Sequence, residues 1–151
     1  MRDKRFIAEH RGGPLTKEQH RQLMLWACKC VENILPLLTK PIDERLANAI
    51  KIAYDWTKDI ASVGDARNAS FDAIAVANEL TDPIKIAFAR SVGHAVATAH
   101  MADHSLRAAE YALKAVKFAN KSSENERKWQ NKNLSPDLVD LVLSTRDKQK
   151  I

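Results

Sequence analysis

Arg90-Ser91-Val92-Gly93-His94-Ala95-Val96-Ala97-Thr98-Ala99-His100-Met101-Ala102-Asp103-His104, continuing through Ser105-Leu106-Arg107-Ala108-Ala109-Glu110-Tyr111-Ala112-Leu113-Lys114, is the stretch that decides how this chain folds. Three of the five histidines fall in it, set among Ala, Gly, Ser and Thr. Small residues let helix backbones approach closely, so the segment reads as the most crowded part of the interior. An imidazole buried among alanines must find a hydrogen-bond partner or suffer a desolvation penalty of roughly 1–3 kcal/mol. The histidines are therefore either fasteners of the core or chemical groups. Periodicity does not choose between the two.

Working outward, the 151 residues suit one domain with a real core. The hydrophobic fraction is 45%, much of it alanine, with 4 glycines and 5 prolines. Alanine-rich, glycine-poor composition with a 3.6-residue apolar period predicts an all-α fold, a single compact bundle of six to seven helices. No segment alternates as a half-buried strand would. The formal net charge of +5 permits an anionic partner without requiring one, and the 19 acidic residues are interspersed with the 24 basic ones. A solvated mixed-charge surface is thus favoured over a nucleic-acid surface. Arg2, Lys4 and Arg5 with Arg146, Lys148 and Lys150 would form one basic cluster if the termini were neighbours.

Cys28 and Cys30 point about 200° apart on a helix and cannot pair there. Their spacing is also not that of a Cys-x-x-Cys redox or zinc site. One buried and one half-buried thiol are expected, and free thiols fit a reducing compartment. The charged start, Met1 to Arg11, carries no secretion signal, and no apolar run reaches the length of a membrane span. A cytoplasmic protein without membrane contact is the expectation.

Residues 1–14 read as an entry segment, 15–145 as the helical domain and 146–151 as a polar tail that frays. Thr16 with Gln19 is a capping box for a first helix from about Lys17 to Leu38, with Pro36 near its end. Asp43 caps a second helix to about Asp59, carrying Trp56 as core filler. A third runs from about Asp65 to Leu80 with Phe71 and Ile74 among its apolar positions. Asp82-Pro83 opens a fourth that runs towards His100. A new start near Asp103 leads a fifth to about Asn120. A short helix with Trp129 turned inwards, then a last one opened by Ser135-Pro136-Asp137, complete the chain.

If the helix were continuous, His100 and His104 would share a face one turn apart, with His94 offset by about 120°. Such a pair can chelate a transition metal, and His94 or Asp103 would be further ligand candidates. There is no His-Glu-x-x-His. The favoured reading is a polar seam joining helices, with His94, His100 and His104 donating and accepting inside it. Arg90 lies one turn before His94. Ser91 and Thr98 share the segment, but helical hydroxyls usually bond back to the preceding turn. No nucleophile–base pair is marked, so neither catalysis nor a cofactor is expected.

The run Gly93 to His104 resembles the central motif of the immunity protein family of bacterial polymorphic toxin systems, whose members are small all-helical proteins. Trp26-Ala27 with Cys30 and then Leu35-Pro36-Leu37 is similar to that family's first helix, and Ala53 with Trp56 to its second. Glu126-Arg127-Lys128-Trp129-Gln130 followed by Leu134 is similar to a Glu-Arg-x-Trp-Gln segment near its end. The likeness covers roughly residues 15–145. Ser91 stands where the family usually has Ala or another small residue, and Leu134-Ser135-Pro136 stands where it has a Leu-Pro. The resemblance implies a non-catalytic role: binding and neutralising a cognate protein toxin. It also adds Glu126, Trp129 and Gln130 to Arg90, His94, Thr98, His100, Asp103 and His104 as candidate site residues. Inhibitors of nuclease toxins are commonly acidic, so this basic chain suits an acidic or neutral target. The alternatives are a metal-binding helical protein built on the three histidines and a weak nucleic-acid binder.

Overall fold

The side chains that precede each apolar run set where most of the helices begin. Thr16 accepts a hydrogen bond from the Gln19 amide while Gln19 accepts one from the Thr16 amide, which opens α1, Lys17–Asn33. Asp43 caps α2, Glu44–Thr57, and Ser62 with Asp65 forms a second capping box at α3, Val63–Glu79. Asp82 with Pro83 starts α4, Pro83–Ala97. Ser122 starts α6, Ser123–Lys132. Each such cap is worth about 1 kcal/mol. α5, His104–Phe118, has Asp103 at its cap position without a side-chain cap bond, and α7, Val139–Gln149, follows a 3₁₀ turn at Pro136–Leu138.

The computed structural model describes residues 3–149. They form an all-α fold of seven helices, and the only extended pairing among them is a bridge between Ala8 and Leu15. No described helix is long and apolar enough to cross a membrane. Helices α2, α4 and α5 end two or three residues before the expected positions, and two further boundaries differ for a local chemical reason. α1 stops at Asn33, and Pro36 lies in a separate 3₁₀ turn, Leu35–Leu37, because proline lacks the amide a continuing helix needs. α3 begins at Val63, because Ser62 rather than the turn after it takes the cap.

α1 lies between two apolar clusters. Met24, Ala27, Cys28, Val31 and Ile34 turn towards α2–α5. Leu23, Trp26 and Cys30 turn the other way, onto Phe6, Leu106, Leu138 and Val142. The two cysteines therefore diverge as their spacing requires. Both are buried, at 1% and 0% exposure, which corrects the expected half-buried thiol. Burial pushes the Cys28 thiol up to about 12 and raises that of Cys30 as well.

α4 is enclosed nearly all round and packs against both α3 and α5. Alanines at the contacts, among them Ala73, Ala89, Ala108 and Ala112, let the axes come close. Gly93 sits so near α3 that a Cβ there would be 3.4 Å from that of Ala73. A gap this narrow excludes large side chains. Phe71 and Ile74, expected in the core, are turned outwards at 59% and 48% exposure, and Ala66, Ala69, Ala73 and Ala77 take the buried face.

The two ends of the described chain meet. Phe6 is buried in the second cluster, and Arg5 donates to Ser144 Oγ at 2.7 Å and Thr145 Oγ1 at 3.0 Å. Of the basic residues that could gather if the termini were neighbours, two are engaged otherwise. Arg5 pairs with Asp3, and Arg146, expected in a fraying tail, is 2% exposed inside α7. Arg2 and Lys150 lie outside the described residues.

Candidate functional site

Arg90 and His94, one turn apart on α4, occupy the narrow strip of that helix not covered by its neighbours. α5 brings His104 and Tyr111 up to them. The two Nδ1 atoms of His94 and His104 are 2.8 Å apart, with ring centroids separated by 5.0 Å. Tyr111 stacks on His94 at 5.2 Å and 8°. Over Tyr111 lie the Arg90 guanidinium at 5.9 Å and the Lys114 ammonium at 4.7 Å from the ring centroid. For the Nδ1–Nδ1 contact one ring must carry the proton and the other the lone pair, so the two neutral rings are opposite tautomers. Protonating both rings would set N–H against N–H. Burial pushes His94 down to about 4, and the charges of His104, Arg107 and Arg90 act in the same direction.

His100 does not continue this face. α4 ends at Ala97, and the chain turns through His100, whose amide donates to the Ala97 carbonyl, before α5 begins. His100 and His104 are therefore not a one-turn helical pair. Their centroids lie 5.5 Å apart at 51°. His100 Nδ1 and Asp103 Oδ1 are buried without a hydrogen-bond partner in the described structure. Desolvation, then the charges of His104, Arg67 and Arg11, lowers the pKa of His100.

Thr98 links the seam to α1. Its hydroxyl donates to the His94 carbonyl at 3.2 Å, and its own carbonyl accepts from His20 Nε2 at 2.6 Å. His20, which also touches Trp56 at 4.8 Å between centroids, was not singled out from the sequence. A signal existed, since His20, Leu23, Met24 and Ala27 recur at three and four along α1.

Glu126, Trp129 and Gln130 belong to a different centre, reached from the other face of α5. Gln130 is fully buried. Its amide nitrogen donates to the Ala109 carbonyl at 3.1 Å, its side-chain oxygen accepts from Arg146 at 2.6 Å, and its backbone carbonyl accepts from Trp26 Nε1 at 2.9 Å. Arg146 also donates to Asn131 Oδ1 at 2.6 Å and lies 5.3 Å from the Trp26 ring centroid. Burial lowers the pKa of this guanidinium. Glu126 stays at the surface, accepting from Asn33 at 2.7 Å, and Trp129 is half-buried rather than turned inwards.

A family model described as Imm-5 like putative immunity protein matches residues 13–137. The chain belongs to this immunity protein family. No curated protein and no solved structure shows significant similarity to it. The match spans α1 to α6 and so holds both the histidine seam and Gln130. α7, which supplies Arg146, lies beyond the matched residues.

Several buried polar side chains of the chain are spent on its own backbone. Ser91 donates to the Ala108 carbonyl and Ser105 to that of Ala102, each at 2.7 Å. Among the described residues no group of three or more His, Cys, Asp or Glu side chains is gathered closely enough to hold a metal ion. His94 and His104 converge, but His100 and Asp103 do not complete a ligand set with them.

Proposed function

We propose that the protein is a non-catalytic helical module that binds a cognate bacterial toxin in the cytoplasm and neutralises it. The family match over most of the chain carries this reading. The polar interior supports it. His94 and His104 are stacked and bonded to each other through Nδ1, and Ser91 and Ser105 donate to backbone carbonyls rather than to a base. The His94–His104 contact and the Ser91 bond to the Ala108 carbonyl fasten α4 to α5 and hold a rigid body whose outer surface is then free to specify a partner. A preformed scaffold spends little free energy on ordering when it binds.

Co-expression with the product of the adjoining gene tests the proposal. Growth arrested by that product alone is expected to be restored by this protein, with both chains recovered in one complex. Arrest that persists at equal expression, with no complex recovered, would sink the reading.

A further inference from the structure

The arginines of this protein are distributed unevenly between paired and unpaired states. Arg5, Arg21, Arg45 and Arg127 each lie within ion-pair distance of a carboxylate, and Arg146 is buried on amide oxygens. The remaining described arginines, Arg11, Arg67, Arg90 and Arg107, are exposed and have no carboxylate partner among the described residues. Arg90 stands one turn before His94 on α4, and Arg67 lies on the exposed side of α3. Arg107, on α5, lines a separate cavity with Asp3, Asp103 and Glu110. Arg11 also lines a small cavity together with Val63 and His100.

The same face carries apolar side chains that the fold leaves outside. Val63, Arg67, Phe71 and Ile74 are spaced by four, four and three residues, so they form one stripe along α3. The three apolar members are 38%, 59% and 48% exposed. Ile74 reaches the α3–α4 contact, with its Cγ1 3.8 Å from where a Cβ on Gly93 would stand, next to His94. An apolar ridge is thus bordered by unneutralised guanidinium groups. Protein interfaces combine an apolar centre with a polar rim and are enriched in aromatic residues and arginine. A phosphate backbone would use the cations but leave Phe71 and Ile74 without a partner, which disfavours a nucleic acid on this face.

We propose that the outer stripe of α3, from Val63 to Ile74, with Arg67 on it and Arg90 on the adjoining strip of α4, forms the surface that receives an acidic patch with an apolar centre on the toxin. This rests on the immunity reading above. Unpaired arginines raise the rate and specificity of encounter with a carboxylate-bearing surface. Phe71 and Ile74 supply the area that holds the complex once formed.

The test uses the full-length chain and the product of the adjoining gene carrying an inactivating mutation, with the dissociation constant read by calorimetry. The double variant R67E/R90E is expected to bind about a hundredfold more weakly, and Phe71→Ala about tenfold more weakly. The double variant K29E/K132E changes the net charge equally, on exposed residues of α1 and α6. It is expected to stay within about threefold of the wild type, since distant exposed charges are largely screened. All these side chains are exposed, so unchanged melting temperatures will confirm folding.

Wild-type binding that R67E/R90E and Phe71→Ala leave intact would place the interface elsewhere and overturn the assignment, while the immunity reading stood. Failure of the wild type itself to bind would overturn both. Salt-dependent binding of a short DNA duplex that R67E/R90E abolishes would reassign the face to nucleic acid. Self-association of the wild type that Phe71→Ala dissolves would reassign it to a second copy.

Discussion

Protonation is where the histidine seam can be interrogated residue by residue. An unfolded histidine titrates near 6.5, whereas His94 in the fold resists protonation down to about 4. Above pH 6.5 both states are neutral and His94 adds no pH dependence. As the pH falls from about 6.5 towards 4 the unfolded chain takes up a proton that the native state refuses, so stability is lost in that window. His20 and His100 are lowered as well, chiefly by desolvation, and act with the same sign. Urea midpoints measured between pH 7.5 and 4 are expected to fall, and more shallowly in His94→Gln than in the wild type. A wild-type profile flat across that range would show that the rings are solvated. At the second centre, Gln130→Ala leaves the buried Arg146 guanidinium short of an acceptor and removes the side-chain donor to the Ala109 carbonyl. A loss of about 3 kcal/mol in urea unfolding is expected. The paired change Arg146→Met with Gln130→Leu should recover much of it, because both polar partners are removed together. Sequence reading reached the histidines and, through family resemblance, Gln130. It missed Arg146 because a charged residue near the end of a polar run looks solvated until its helix is docked. Nothing in the local pattern records that Trp26 and Gln130 wait for it from other helices.

At the scale of elements, legibility follows from how local the cause is. Caps are local, and Thr16, Asp43 and Asp82 mark their helix starts from adjacent residues alone. The break between α4 and α5 was also anticipated near Asp103. The face α3 presents is not local, since it depends on how near α4 comes, and Gly93 and the alanines decide that. Phe71 and Ile74 therefore read as core when they are surface. The entry segment depends on another close approach. Gly12 has φ +83°, and a Cβ on Gly13 would stand 2.0 Å from the Ile7 carbonyl oxygen, inside the turn that lays Ala8 beside Leu15. Gly13→Ala has to displace that backbone, with an expected cost of about 2 kcal/mol. A melting temperature equal to that of the wild type would mean the segment contributes little to the fold.

For the whole molecule, composition indicated the all-α class, and the family match agrees with the resemblance carried by the histidine run. The net charge of +5 was too coarse to locate a surface. Only the fold shows which arginines pair with carboxylates and which, such as Arg67 and Arg90, stand exposed without an ion pair among the described residues. Most buried polar side chains are bonded within the fold, with His100 Nδ1, Asp103 Oδ1 and Arg146 Nε as exceptions among the described residues. The most direct measurement is a calorimetric titration of the full-length wild-type protein with the inactivated product of the adjoining gene, at low and at physiological salt. Saturable binding at a fixed stoichiometry, weakening as salt rises, is the expected result. No heat of binding at either ionic strength, from a partner shown to be folded, would contradict the reading of this chain as an immunity protein.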